Sequence, residues 1–163
     1  MNGELIQLNE VIQTLIDLAN DMEENYKEHL AQSGRYTMDY ALIDSVECHV
    51  RVDDRGYEVT MTLNDYWKYV ENDTKPHFPP PEKILQWIQI KPIFPRPDSL
   101  DRKPTENQLA FLIGRKIYNE GTKGSHDLEK TKDTLLPFYK ERLSIALGHD
   151  VENYIRKLVR DTN

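Results

Sequence analysis

The sequence predicts an α+β fold: a long N-terminal helix, a small antiparallel β-sheet built on one hairpin, and two or three further helices flanking it. Three observations carry this. Apolar residues recur at helical spacing from residue 5 to about 31, two alternating segments flank Asp53-Asp54-Arg55-Gly56, and helical periodicity returns after a proline-rich stretch. Helix, hairpin, short helix, helix, helix has no βαβ repetition, so the order is that of an α+β domain and not of a doubly wound one.

In the first helix Leu8, Val11, Leu15, Leu18 and Met22 alternate three- and four-residue steps, and Tyr26 and Leu30 extend the stripe. Ile12, Ile16 and Ala19 widen it, while Glu10, Gln13, Asp17, Asn20 and Glu24 form the solvated face. Such a stripe packs on a core of its own chain or is shared with a neighbouring subunit. Gly34 supplies a left-handed stop. Tyr36 to Ile43 reads as an additional strand. In the hairpin Val46, Cys48, Val50 and Val52 share one face and Glu47, His49 and Arg51 the other, Gly56 takes positive φ, and Tyr57, Val59, Met61 and Leu63 alternate in return.

Eight of the nine prolines then fall between Pro76 and Pro104. Within that region Pro81 to Ile88 reads as a short helix with Ile84, Leu85, Trp87 and Ile88 inward, and residues 91–104 as a surface excursion, because closely spaced prolines remove backbone donors. Thr105 and Gln108 form a capping box that restarts helix, with Leu109, Leu112, Ile113 and Ile117 as its stripe and Gly121 as its end. Residues 122–127 read as a flexible link. A last helix is expected from about Pro137, a residue suited to a first turn, to Arg160. Leu143, Leu147, Val151, Tyr154, Ile155 and Leu158 are its stripe, and Gly148 is a point where it could divide. The chain reads as a single domain, 1–163: helix 5–31, hairpin core 45–71, proline-rich loop region 76–104, and C-terminal helices 105–160.

A chain of 163 residues with 38 % apolar content sits below the ~45–50 % of ordinary domains, which implies a thin core and much solvated surface. The net charge of −7 repels duplex phosphate, so a sequence-reading nucleic-acid binder is not expected, whereas a protein that surrounds DNA without gripping it is compatible. One cysteine, Cys48, rules out an internal disulfide framework and fits a reducing compartment. No signal peptide is read at the N-terminus, and no apolar stretch reaches the ~18 residues of a membrane span.

Motifs for catalysis are sparse. The histidines at 29, 49, 77, 126 and 149 are scattered, and Cys48 and His49, adjacent in a strand, point to opposite faces. There is no phosphate-cradling glycine loop and no nucleophile elbow. We therefore expect no catalytic residues, no cofactor and no metal. One enzymatic pattern competes: Asp53 and Asp54 at a strand end, with Asp73 and Lys75 supplying a second acid and a cation, as in Mg²⁺-dependent nucleases. Here Asp73 and Lys75 fall in a turn before proline instead of in a strand beside the first acid.

The densest cluster is Tyr66, Trp67, Tyr69, Val70, Glu71, Thr74, His77 and Phe78. On one reading the aromatics close the core over the hairpin face, Val70 is in phase at the next strand, and Glu71 and Thr74 hydrogen-bond the following turn. On the other, an exposed aromatic and proline loop docks a partner.

Residues 66–74, "YWKYVENDT", resemble the Tyr-x-x-Tyr/Phe-Val-Glu-x-Gly-Thr signature of small tail-completion and head-to-tail joining (neck or connector) proteins of long-tailed bacteriophages. In that family the signature follows a β-hairpin and precedes a proline-containing loop and a short tryptophan helix, as in "PPPEKILQWI". A helix resembling "LAFLIGRKIYNEGTKG" and a C-terminal helix come next. The likeness spans roughly residues 40–160, with Asp73 standing at the usual glycine and a long 92–104 insertion. It implies a non-enzymatic structural protein of the virion, assembled as a homo-oligomeric ring at the head–tail junction or tail end. Its partners would be neighbouring connector, portal-proximal or tail-tube proteins, with DNA passing through unread and the host cytoplasm as the place of assembly. Segments 72–81 and 92–104 would make intersubunit contacts, with Tyr66, Trp67, Glu71, Thr74, His77, Phe78, Phe94 and Arg96 the residues singled out. A soluble adaptor of another assembly, using the same surface, is the alternative.

Overall fold

A computed structural model of the chain describes residues 8–33, 41–90 and 103–161. Its elements are α1 (Asn9–Ser33), α2 (Ala41–Asp44), β1 (Glu47–Asp53), β2 (Gly56–Thr62), α3 (Trp67–Glu71), α4 (Pro81–Ile90), α5 (Glu106–Glu120) and α6 (Asp127–Asp161). This is the expected α+β fold with a long N-terminal helix and a two-stranded antiparallel sheet. Gly34, most of the anticipated strand at 36–43, and residues 91–102, including Phe94 and Arg96, lie outside the described residues.

The long stripe of α1 is buried as its spacing predicts. Val11, Leu15 and Leu18 pack with Leu135, Tyr139 and Ala146 of α6, and Tyr26 and Leu30 join Leu42, Val46 and Val70 in a second cluster. α1 and α6 run antiparallel, and polar contacts mark their register along the whole length. Asp150 Oδ1 and Oδ2 accept from the N–H groups of Glu10 (3.2 Å) and Val11 (3.0 Å). Arg142 bonds Asp17 at 2.8 Å, the Tyr139 hydroxyl donates to Asp21 at 2.5 Å, and His29 Nδ1 lies 3.0 Å from Thr131 Oγ1. Burial, reinforced by the Asp21 carboxylate, pushes the Tyr139 phenol up to about 12.

The buried carboxylate of Asp150 therefore caps α1 from another helix. The first N–H groups of a helix have no partner inside it and favour negative charge nearby, a need usually met by the residue just before the helix.

The hairpin pairs Cys48 with Met61, Val50 with Val59 and Val52 with Tyr57, and Gly56 takes φ 133° at the turn, as expected. An isolated two-stranded sheet is marginal in water. This one lays Val50 and Val59 on the α1–α6 cluster, while Val52 and Tyr57, nearer the turn, stay exposed.

Several expectations are corrected. The end of the anticipated strand at 36–43 is helical: Ser45 Oγ and N–H both bond Leu42 O, and Asn64 Nδ2 donates to Ala41 O. With Leu42 fully buried, closing this turn serves the core better than an added strand. Val70 belongs to a helical turn, α3, and not to a strand, and Tyr69 beside it points to solvent. In α5 Leu112 is exposed, and Ala110 and Gly114 are buried in its place, because close contact with α4 favours small residues. The capping box at Thr105 and the end at Gly121, φ 72°, are as predicted.

The largest correction concerns α6. It starts at Asp127, ten residues before Pro137, and passes unbroken through both Pro137 and Gly148. Pro137 cannot donate to the carbonyl of Asp133, a loss of ~3 kcal/mol or more in a helix interior. Both residues are exposed, so that carbonyl is on the side where water can hydrate it, while Leu135 and Tyr139 anchor the helix on the buried side. The buried face is Asp127, Thr131, Leu135, Tyr139, Ala146 and Asp150; of the predicted stripe Leu143 packs half-buried on the core and Tyr154 is partly covered, while Leu147, Val151, Ile155 and Leu158 are exposed.

α4 and α5 form a third cluster, Ile84 and Ile88 against Ala110, flanked by Leu85, Trp87, Leu109 and Ile113. They make a helical arm whose two roots, the chain before Pro81 and the chain after Glu120, return to the body.

Replacing Asp150 with alanine should lower unfolding stability by about 1–3 kcal/mol, since two helix-end donors lose their buried acceptor. Urea unfolding followed by far-UV circular dichroism measures it, and an unchanged midpoint would show that the cap contributes nothing.

Candidate functional site

The roots of the arm meet at a neck formed by residues 66–78 and 121–128. This brings Tyr66, Trp67, Glu71, Thr74, His77 and Phe78 into one region. α3 is a single turn, closed by Trp67 N–H to Asn64 O and Tyr69 N–H to Tyr66 O, each 2.9 Å. Half-buried Tyr66 and Trp67 pack on the second core cluster beside Met61 and Leu63. These two rings therefore close the core over the end of the hairpin.

The turn delivers Val70 and Glu71 to the interior. The Glu71 carboxylate accepts from Leu128 N–H (2.9 and 3.1 Å to its two oxygens) and from Glu129 N–H (3.2 Å). It is buried and caps α6 from a remote element, as Asp150 caps α1. The backbone follows: Ser125 N–H donates to Val70 O at 2.8 Å and His126 N–H to Glu71 O at 3.1 Å. Residues 122–126 are thus tied down, not the flexible link their composition predicts. Behind them, buried Asp127 pairs with Lys130 at 2.9 Å, and Lys130 also donates to Ser125 O. Burial raises the Tyr26 phenol well above its ordinary value, and the charges of Glu71 and Asp127 add to the effect.

Thr74 and Thr122 form an antiparallel bridge. Thr74 N–H donates to Thr122 O at 2.8 Å, Thr122 N–H to Thr74 O at 3.3 Å, and the two hydroxyls lie 2.7 Å apart. This approach requires glycine on the 121–124 segment. A Cβ on Gly121 would sit 2.0 Å from Thr74 O, and one on Gly124 would sit 2.1 Å from Glu71 O. Asp73 has a role of its own in the neck. Its Oδ1 accepts from Gly124 N–H at 2.7 Å and lies 3.3 Å from His126 Nε2. These contacts, the Gly124 N–H first, hold its carboxyl below the usual aspartate value. His126 takes φ 54°, and its other ring nitrogen is 3.5 Å from Glu129.

Past the neck the side chains turn outward. His77 is exposed, its Nδ1 2.8 Å from Lys75 O. Phe78 packs edge-to-face on Tyr118, centroids 6.2 Å apart, and against Gly114, where an added Cβ would be 3.6 Å from its ring. Phe78, Tyr118 and Phe111, the last one turn from Gly114 on α5, are each more than half exposed. Phe111 and Tyr118, seven residues apart and so on one side of α5, are functional candidates that the sequence reading passed over. Their seven-residue spacing was visible, but nothing local marked that side as outward.

Two carboxylates of the competing nuclease pattern, Asp53 and Asp73, have partners of their own. Asp53 Oδ1 accepts from Arg55 N–H at 2.9 Å, its Oδ2 lies 3.2 Å from the Arg55 guanidinium, and Asp73 is spent on the neck. Among the described residues no group of three or more His, Cys, Asp or Glu is placed to hold a metal ion, and no helix is long and apolar enough to cross a membrane. Comparisons with protein-family models, with curated proteins and with solved structures find no match.

A glycine of the neck and a glycine in the middle of α6 respond oppositely to an added methyl. Gly124→Ala should lose about 2–3 kcal/mol or more, since backbone must move to admit the methyl. Gly148→Ala, in open space mid-helix, should gain about 0.5–1 kcal/mol. Equal effects in paired urea titrations would contradict the close approach.

Because the folded-state value of Asp73 is depressed, its stabilising contribution is present above the ordinary aspartate value of 3.8 and is lost as pH falls through the lower, folded value. The stability difference between wild type and Asp73→Asn should therefore shrink as pH falls below the ordinary aspartate value of 3.8. A difference independent of pH would exclude the carboxylate's charge as the cause.

Proposed function

We propose that this chain is a non-catalytic structural protein of a long-tailed bacteriophage, a ring-forming subunit at the head–tail junction or tail end that completes the tail and joins it to the capsid. The observation that carries the reading is the use made of "YWKYVENDT". The segment that resembles the joining-protein signature fastens both roots of a helical arm to the body through Glu71, Asp73 and Thr74. The arm then presents Phe78, Phe111 and Tyr118 to solvent. Exposed aromatics on a rigidly rooted projection fit a contact surface, where such rings contribute most. The order of motifs adds the virion context. The net charge of −7 is consistent with a ring that lets a genome pass without holding it.

Electron microscopy of lysates from a phage lacking the gene tests this. Filled heads separate from tails, or tails with abnormal ends, are expected. Complementation with a Phe78→Ala, Tyr118→Ala double variant, shown to be folded by circular dichroism, should leave the same particles unjoined. Normal infectious particles without the gene would remove the joining role and favour an adaptor with a stable non-virion partner.

A further inference from the structure

The inner side of the neck buries three polar atoms that have no hydrogen-bond partner among the described residues: the Tyr26 hydroxyl, the Ser125 hydroxyl and Asp127 Oδ2. Their residues are 0, 8 and 1 % exposed. Buried polar atoms are nearly always bonded, to protein or to held water, and three that share one place point to a common cause.

They do share one place. Ser125 N–H donates to Val70 O at 2.8 Å, and Val70 packs with Tyr26 in the second core cluster. Asp127 lies two residues further on, its main-chain oxygen 3.4 Å from Nδ1 of His29, which follows Tyr26 by one turn of α1. The Tyr26 phenol feels the charges of both Glu71 and Asp127. Three elements, α1, the 122–126 segment and the first turn of α6, therefore each bring one unbonded oxygen to the same part of the interior.

Charge and hydrogen-bonding capacity decide what serves them. Asp127 Oδ1 already bonds the Lys130 ammonium at 2.9 Å, and the Glu71 carboxylate accepts from Leu128 and Glu129 N–H at the positive end of α6. Both acids thus have their counter-charge, and the guest is neutral, not a cation. The two hydroxyls have protons to give, while a carboxylate oxygen only accepts. One guest serving all three must accept and donate, and must be small enough for a site whose residues are all buried. We propose that a water molecule is built into the neck, accepting from the Tyr26 and Ser125 hydroxyls and donating to Asp127 Oδ2. Three polar partners are the usual complement of a buried water in a globular protein. The water laces α1 to the root of the arm and to the start of α6, and it does so whatever the arm meets outside.

The sign of a stability change tests this. Removing an unbonded buried hydroxyl relieves a penalty, whereas removing a bonded one loses a hydrogen bond. Tyr26→Phe and Ser125→Ala should therefore each lower the urea midpoint of the full chain, with far-UV circular dichroism showing that helix content is retained. An unchanged or raised midpoint in either variant would overturn the proposal. A crystal structure of the wild-type chain gives a second reading that needs no variant. It should show an ordered water ~2.5–3.0 Å from each of the three oxygens. A Tyr26 hydroxyl bonded directly to a protein oxygen, or density that refines as a metal ion, would overturn the proposal even where both midpoints fall.

Discussion

The arrangement depends on a carboxylate buried at the end of a helix. Glu71 leaves water to bond the first N–H groups of α6, and a lone charge in that position would be costly. It is tolerated because those N–H groups need an acceptor and their helix presents positive potential. That one interaction sets where α6 begins and fixes α3 against it. Between them runs the segment 122–126, held by backbone bonds to Val70, Glu71 and Thr74. Asp150 does the same for α1. Each of the two longest helices is thus started by an acid that belongs to another part of the chain.

From this follows the division between body and arm. The body has a thin core, α1 against α6 with a two-stranded hairpin on one side, and polar contacts from Asp150 to Thr131 keep the pair in register along its length. The arm has its own small cluster. What joins them is a pair of segments, bridged at Thr74 and Thr122, so close that two residues of the second must be glycine. A projection rooted by backbone hydrogen bonds holds its exposed rings in a defined direction.

Much of the fold was legible in local pattern. The α1 stripe, the hairpin with Gly56 at positive φ, the Thr105–Gln108 capping box and the Gly121 terminus were readable because each rests on residues within a turn or two of one another. Two misreadings share one cause. Pro137 read as a beginning and 122–127 as a link, because the partners that decide them, Glu71 for α6 and residues 70–74 for the link, lie about fifty residues away in sequence.

The sequence by itself determined the α+β class, the positions of most elements and the dense stretch at 66–78, since spacing, capping and turn chemistry are local properties. Tertiary structure alone decided what that stretch does. Glu71 could have braced its own turn and instead caps a distant helix, and Asp73, a candidate metal ligand by composition, anchors the neck through Gly124. It also decided which apolar stripe of α6 is core and which is surface. A helical period says that a face exists, and only the approach of another element, here α1 antiparallel along the whole body, says which face is covered.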